Sequence, residues 1–214
     1  MSDARDAAAK STAGSTGGWK LLGLASAALV AATLVIVWTM GPNAETARLL
    51  IRLTGRTSLV FFCLAFGAAP LARAVPGPLA FWLVANRRYL GLSFVVSHLV
   101  HAGALFAFAR LDPAQFAAAT NPAMFIGGGL GYVFVLLMGA TSFDRTAALL
   151  GPRRWRLLHL VGGYYLSLVF LQAEAKRAAD PGHWPWLVMI VGVLALRILA
   201  TRIATWRTSI AAGN

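Results

Sequence analysis

Residues 87–108, RRYLGLSFVVSHLVHAGALFAF, set two histidines three positions apart in a run otherwise fit for hydrocarbon. At that spacing His98 and His101 share a helix face. An imidazole in an apolar medium is costly without a partner. What it can do there is limited: exchange a hydrogen bond, pass a proton or ligate a metal. His159, Gln172 and Arg197 pose the same question in later apolar runs. Acidic residues are missing from the centres of these runs, which argues against a proton pump or cation transporter with its relay of buried carboxylates. The pattern suits histidines that serve a cofactor. A neutral imidazole is a common haem ligand, and helical bundles place such ligands on facing helices. Each histidine also has a plainer reading, a ring satisfied by a neighbouring carbonyl or hydroxyl, and His183 in DPGHWPW reads as a solvated loop residue.

The elements that must position these groups are spans of a membrane. The chain has 214 residues, 58% hydrophobic and only 12% charged, with mean hydropathy +0.69. A soluble domain carries roughly 25% charged residues. About 20 apolar residues cross a bilayer, and six segments qualify: 19–40, 57–73, 89–109, 123–141, 157–174 and 184–201. The expected fold is therefore an all-α membrane protein, a six-helix transmembrane bundle. Little chain remains for a soluble catalytic domain, so no flavin or nicotinamide domain is expected.

The net charge of +12 would suit nucleic acid in a soluble protein. In a membrane protein its sidedness matters more. With the N-terminus inside, twelve basic residues fall on the inner side, among them Arg73, Arg87, Arg88, Arg145, Arg153, Arg154 and Arg156. Six fall outside: Arg48, Arg52, Arg56, Arg110, Lys176 and Arg177. Arg197 lies within the sixth segment. Both termini are therefore expected in the cytoplasm. Arg88, Arg154 and Arg156 could meet haem propionates or a flavin phosphate, although setting topology is role enough for them.

The chain divides into a disordered tail at 1–18, the six-helix domain at 19–207 and a C-terminal tail at 208–214. The tail, rich in Ala, Ser, Gly and Thr, is followed by an apolar run longer than the core of a signal peptide. Arg48, Arg52 and Arg56 recur every four residues with Leu49, Leu50, Ile51 and Leu53 beside them. They predict a short interfacial helix between the first and second spans. The PGP at 76–78 breaks the chain, and LAFWLVAN after it is apolar enough to dip into the membrane surface. Gly127 and Gly131 form a small-xxx-small pattern for close helix approach. No strand precedes them, so this is no nucleotide loop. Cys63 is the single cysteine, which excludes an internal disulfide. No internal repeat of the kind many transporters carry is apparent.

RRYLGL followed by His101, then RRWRLLHLV at 153–161 and TGRTSLVFFCLAFGAAPLAR at 54–73, resemble the ferric-reductase-like transmembrane domain superfamily over roughly residues 40–200. The resemblance implies b-type haem held by histidines of the third and fifth helices. It assigns His101 to the third-helix ligand and His159 to the first fifth-helix ligand. The second fifth-helix ligand falls at Gln172, where an imidazole is replaced by a poor haem ligand. One or two haems, a redox partner protein on the outer side and a separate electron donor, a quinol or a partner's flavin, follow as expectations.

Depth tests this set. At 1.5 Å rise per residue, His101 stands about 21 Å above Arg87, and His159 only about 5 Å above Arg156. These two cannot share one iron. Gln172 comes level with His101, about 20 Å above His159. An outer haem would then lie between His101 and Gln172, with His98 hydrogen-bonding nearby, and an inner haem would have His159 alone. The expected function is a b-type haem-binding subunit of a bacterial inner membrane, at most the electron-transfer part of an oxidoreductase, delivering electrons to an outer acceptor. The alternative is a haem-free scaffold or partner subunit that has lost an axial ligand.

Overall fold

The computed structural model describes residues 17–212, with side chains through residue 200 and Arg202. Residues 1–16 of the expected tail lie outside the described residues. Every regular element among those described is helical. In chain order they are α1 (Trp19–Met40), α2 (Ala44–Ala74), α3 (Pro78–Ala85), α4 (Arg87–Leu111), α5 (Pro113–Ala119), α6 (Pro122–Ala140), α7 (Asp144–Ala175), a 3-10 turn (Pro181–His183) and α8 (Trp184–Ala212). The first five residues of the expected C-terminal tail thus continue the last helix. Five stretches are long and apolar enough to cross a membrane: α1, α2, α4, α6 and Pro181–Ala200. The fifth expected span, inside α7, is diluted by His159, two tyrosines, Gln172 and Glu174.

The short interfacial helix expected between the first two spans is not a separate element. Gly41, at φ +76°, ends α1, and Asn43 starts α2 by accepting a hydrogen bond from the Thr46 backbone N–H at 2.9 Å. From there α2 runs unbroken for 31 residues. Gly55 keeps helical geometry, and no proline intervenes before Pro70, so the arginine-bearing turns are the N-terminal part of the second span itself. The segment after PGP does form its own short helix, α3. It is pinned by the fully buried Asn86, whose Oδ1 accepts from the Gly18 N–H and whose Nδ2 donates to the Trp82 carbonyl.

At the centre of the bundle, α2 packs along α4 and α8. Its Leu59, Phe62, Cys63 and Phe66 meet Phe94 of α4, Val135 of α6, Leu166 and Phe170 of α7, and Ile190 of α8. By contrast α1 buries only Leu29. Pro70 breaks the hydrogen-bond ladder of α2, because it has no N–H to give to the Phe66 carbonyl four residues earlier. One side chain covers that gap and a second binds the carbonyl beside it. Arg197 Nη1 donates to the Phe66 carbonyl at 3.0 Å, and Arg87 Nε donates to the Ala65 carbonyl at 3.1 Å. Arg197 also lies 3.9 Å from the centre of the Phe66 ring. It therefore faces the bundle.

Near its start α7 bends. Gly151, at φ +75°, takes a backbone form that side chains disfavour, and Pro152 opens the long second part. There Gly162 and Gly163 are packing glycines. A Cβ on Gly163 would sit 2.5 Å from Phe66, and one on Gly162 would sit 2.6 Å from Met138. Gly127 and Gly131 face Tyr165 and Leu166 across the same interface. Gly163→Ala is therefore expected to destabilise the bundle by about 1–3 kcal/mol through overpacking. Gly129→Ala, where a Cβ meets nothing within 4 Å, is the control. Thermal unfolding of both variants in detergent measures the difference.

Candidate functional site

A seam of hydroxyls joins α2 to α4. Thr54, Thr57 and Ser58 lie on one face of α2, and Ser97 and His101 lie on one face of α4. Ser97 Oγ meets Thr57 Oγ1 at 2.8 Å and Ser58 Oγ at 2.9 Å. The seam ends at His101. Its Nδ1 lies 3.1 Å from the Ile51 carbonyl and 3.0 Å from Thr54 Oγ1. A carbonyl only accepts, and the Thr54 hydroxyl already donates to the Leu50 carbonyl at 2.6 Å. The hydrogen must therefore sit on Nδ1, which leaves the lone pair on Nε2. Nε2 makes no hydrogen bond among the described residues. The imidazole lies over Gly55, its Cε1 3.5 Å from where a Cβ would be, an ordinary contact distance. Metal-ligating histidines are characteristically held in this way, one ring nitrogen donating to a carbonyl and the other free.

One turn below, His98 stacks on His101, with ring centres 5.4 Å apart and planes 19° apart. It also lies 4.8 Å from the ring of Tyr132 on α6. His98 Nδ1 and the Tyr132 hydroxyl are both buried without a hydrogen-bond partner. Two unsatisfied polar atoms on neighbouring rings mark a place where a further group belongs, since such burial is costly. The sequence suggested a hydrogen bond for His98 and gave Tyr132 no role.

Gln172 is not brought to His101. The inward face of α7 carries Gly163, Ser167, Phe170 and Glu174, spaced three and four apart. Gln172 lies midway between the last two, on the opposite face, and is exposed. At that level Phe170 fills the inward position, 6.1 Å from the His98 ring. His183 is not solvated either. It pairs at 2.8 Å with the buried Glu174 in the last turn of α7.

His159 lies at the other end of the bundle, apart from His101, on the wall of a cavity of about 370 Å³. Phe62, Phe66, Phe94, Trp155 and Met138 give this cavity apolar walls, and Arg87, Arg88 and Asp144 stand in its lining. His159 Nε2 is 3.2 Å from Thr141 Oγ1, and that hydroxyl donates to the Leu137 carbonyl at 2.7 Å. The Nε2 hydrogen therefore points at Thr141, the reverse of the arrangement at His101. Arg88 pairs with Asp144 across the two helix starts and holds the exposed Asp144 carboxyl below the usual carboxylate range. Arg154 and Arg156, both exposed, are not part of this lining.

Residues 17–200 and Arg202 hold no cluster of three or more His, Cys, Asp or Glu side chains able to bind a metal ion. Iron at His101 would need a macrocycle to complete its ligand set. The free Nε2 and the unpaired atoms of His98 and Tyr132 suit haem, and at His159 the hydrogen on Nε2 leaves the ring's lone pair on Nδ1.

Two curated proteins align with the chain. One is the protein-methionine-sulfoxide reductase heme-binding subunit MsrQ of Polaromonas naphthalenivorans, 32% identical over 149 residues, which are 65% of each chain. The likeness is to MsrQ. The MsrQ of Ralstonia nicotianae is 32% identical over 119 residues, 55% of this chain and 54% of its own. The matched stretches thus span about two-thirds and about half of the MsrQ relatives' lengths. No family model matches the chain, and no solved structure matches it.

Proposed function

We propose that the chain is a haem-binding, multi-pass membrane subunit that carries electrons toward a partner oxidoreductase, as the names of its MsrQ relatives suggest. The observation that carries this reading is the tautomer of His101, locked by Ile51 and Thr54 with Nε2 free. Haem b supplies one-electron chemistry when bound. His101 would ligate it, while Thr54 and the Ile51 carbonyl orient the imidazole and raise its basicity. His98 and Tyr132 would offer it hydrogen bonds. The inner cavity serves as the point of electron entry, taking a quinol or a partner's flavin between aromatic walls. There Arg87 and Arg88 would counter negative charge, and His159 would meet a hydrogen-bonding group. The acceptor stands on the outer side, and the membrane is a bacterial inner membrane.

The same reading takes residues 157–174 of α7 as the fifth of six spans, with both termini cytoplasmic. Reporter fusions are expected to place residue 144 inside and residue 180 outside; both on one side would overturn the six-span topology.

A specific observation favours the second reading, a haem-free scaffold: α7 offers Phe170, not an imidazole, opposite the histidine pair. Protein purified from haem-supplemented cells decides between them. A dithionite-reduced spectrum with split visible bands, and a haem on each chain by pyridine haemochrome, supports the electron carrier. A colourless protein supports the scaffold.

A further inference from the structure

On the outward surface between α2 and α8 lies a groove of about 360 Å³, lined by Leu53, Arg56, Thr57, Val60, Phe61 and Trp186. The five α2 residues recur at spacings of three and four and so form one continuous stripe. The stripe is graded along the span. Arg56 lies near the outer end, and Phe61 lies about 7.5 Å deeper at 1.5 Å per residue. The groove therefore offers a cation above and hydrocarbon below. The Arg56 guanidinium rests 5.2 Å from the centre of the Trp186 ring, and Trp186 belongs to the Trp184–Pro185–Trp186 start of α8, at the level where aromatic residues mark the membrane interface. No acidic side chain among the described residues pairs with Arg56. Its charge is left for something outside the chain.

From this gradient we infer that the groove binds an anionic phospholipid of the outer leaflet, with the phosphate at Arg56 and an acyl chain along Leu53, Val60 and Phe61. A neutral lipid would fill the same apolar wall and leave the arginine unmatched. A phosphate group without a tail would leave the groove empty. Thr57 gives the site reach into the bundle. It lines the groove and also bonds to Ser97 in the seam that ends at His101. Lipid seated here braces the α2–α4 pair that orients the imidazole.

Full-length protein in neutral detergent is titrated with phosphatidylglycerol or with phosphatidylcholine of the same acyl chains, and thermal unfolding is followed. The expected result is a saturable rise in Tm with phosphatidylglycerol, at about fivefold tighter apparent affinity than with phosphatidylcholine. Arg56→Gln removes the preference, whereas Arg110→Gln, on another helix, keeps it. Leu53→Trp fills the groove and removes the saturable rise with Arg56 in place. Equal response to the two lipids overturns the inference, as does a preference that survives Arg56→Gln. Competition by a neutral isoprenoid quinone, unaffected by Arg56→Gln, overturns it too. If either variant fails to fold, native mass spectrometry of the wild type decides by whether phosphatidylglycerol adducts outlast phosphatidylcholine ones. The readout is lipid retention, not haem content, so a failure here is distinct from a failure of the haem reading.

Discussion

His101→Ala protein from haem-supplemented cells is expected to lose the haem of the outer half altogether. The substitution removes the one imidazole whose free nitrogen is fixed by the backbone. Thr54→Val keeps the ligand and the Ile51 carbonyl but removes one partner of Nδ1. Loss of such outer contacts typically weakens metal affinity by about 10–100-fold, so Thr54→Val should retain haem weakly and lose it on dilution. Gln172→His is expected to change nothing, because an imidazole there points away from the bundle. Reduced-minus-oxidised spectra of the four proteins, recorded at matched concentration, measure all three effects. An unchanged haem spectrum for His101→Ala would place the haem away from His101. A gain of haem in Gln172→His would show that α7 rotates when haem binds.

The second large effect belongs to Arg197. Replacing it with Met leaves the Phe66 carbonyl without a donor in a medium that offers no water, and it loses a cation stacked on Phe66. The cost is expected to be about 2 kcal/mol or more. Its cause can be isolated, because the carbonyl is orphaned by Pro70. In a Pro70→Ala background, residue 70 has an N–H to give to Phe66. Arg197→Met should then cost distinctly less than it does in the wild type. Thermal unfolding of the four proteins of this double-mutant cycle tests the coupling. Equal costs in the two backgrounds would mean that Arg197 serves through charge or stacking alone.

The spans could be read from the sequence because length and hydropathy suffice for them, and burial cost alone singled out the histidines. Continuity of α2 was harder. A cluster of arginines beside leucines looks like a separate interfacial helix, but nothing between Ala44 and Pro70 breaks the helix. Glu174 and His183 seemed separate because neither shows its partner until the outer loop folds back. The misplacement of Gln172 is instructive, since the information was present. Depth counts residues along the axis and ignores rotation about it. Thirteen residues make about 3.6 turns, which brings Gln172 level with His101 but leaves it facing away from the side on which His159 stands. The hydroxyl seam was also written in the sequence, as Thr54, Thr57 and Ser58 at helical spacing opposite Ser97. Small polar residues are common enough in membrane helices that the pattern stands out only once the two faces meet.

The cap on Pro70 has a consequence for how the protein is made. Donor and acceptor are separated by 131 residues, and Arg197 is carried by α8, which is made long after α2. Until α8 joins the bundle, α2 sits in the bilayer with a bare carbonyl at Phe66. The nascent chain is thus incomplete in a way that no local rearrangement repairs. A chain cut short before α8 would display that defect permanently, a signal by which membrane proteases can tell an unfinished molecule from a finished one.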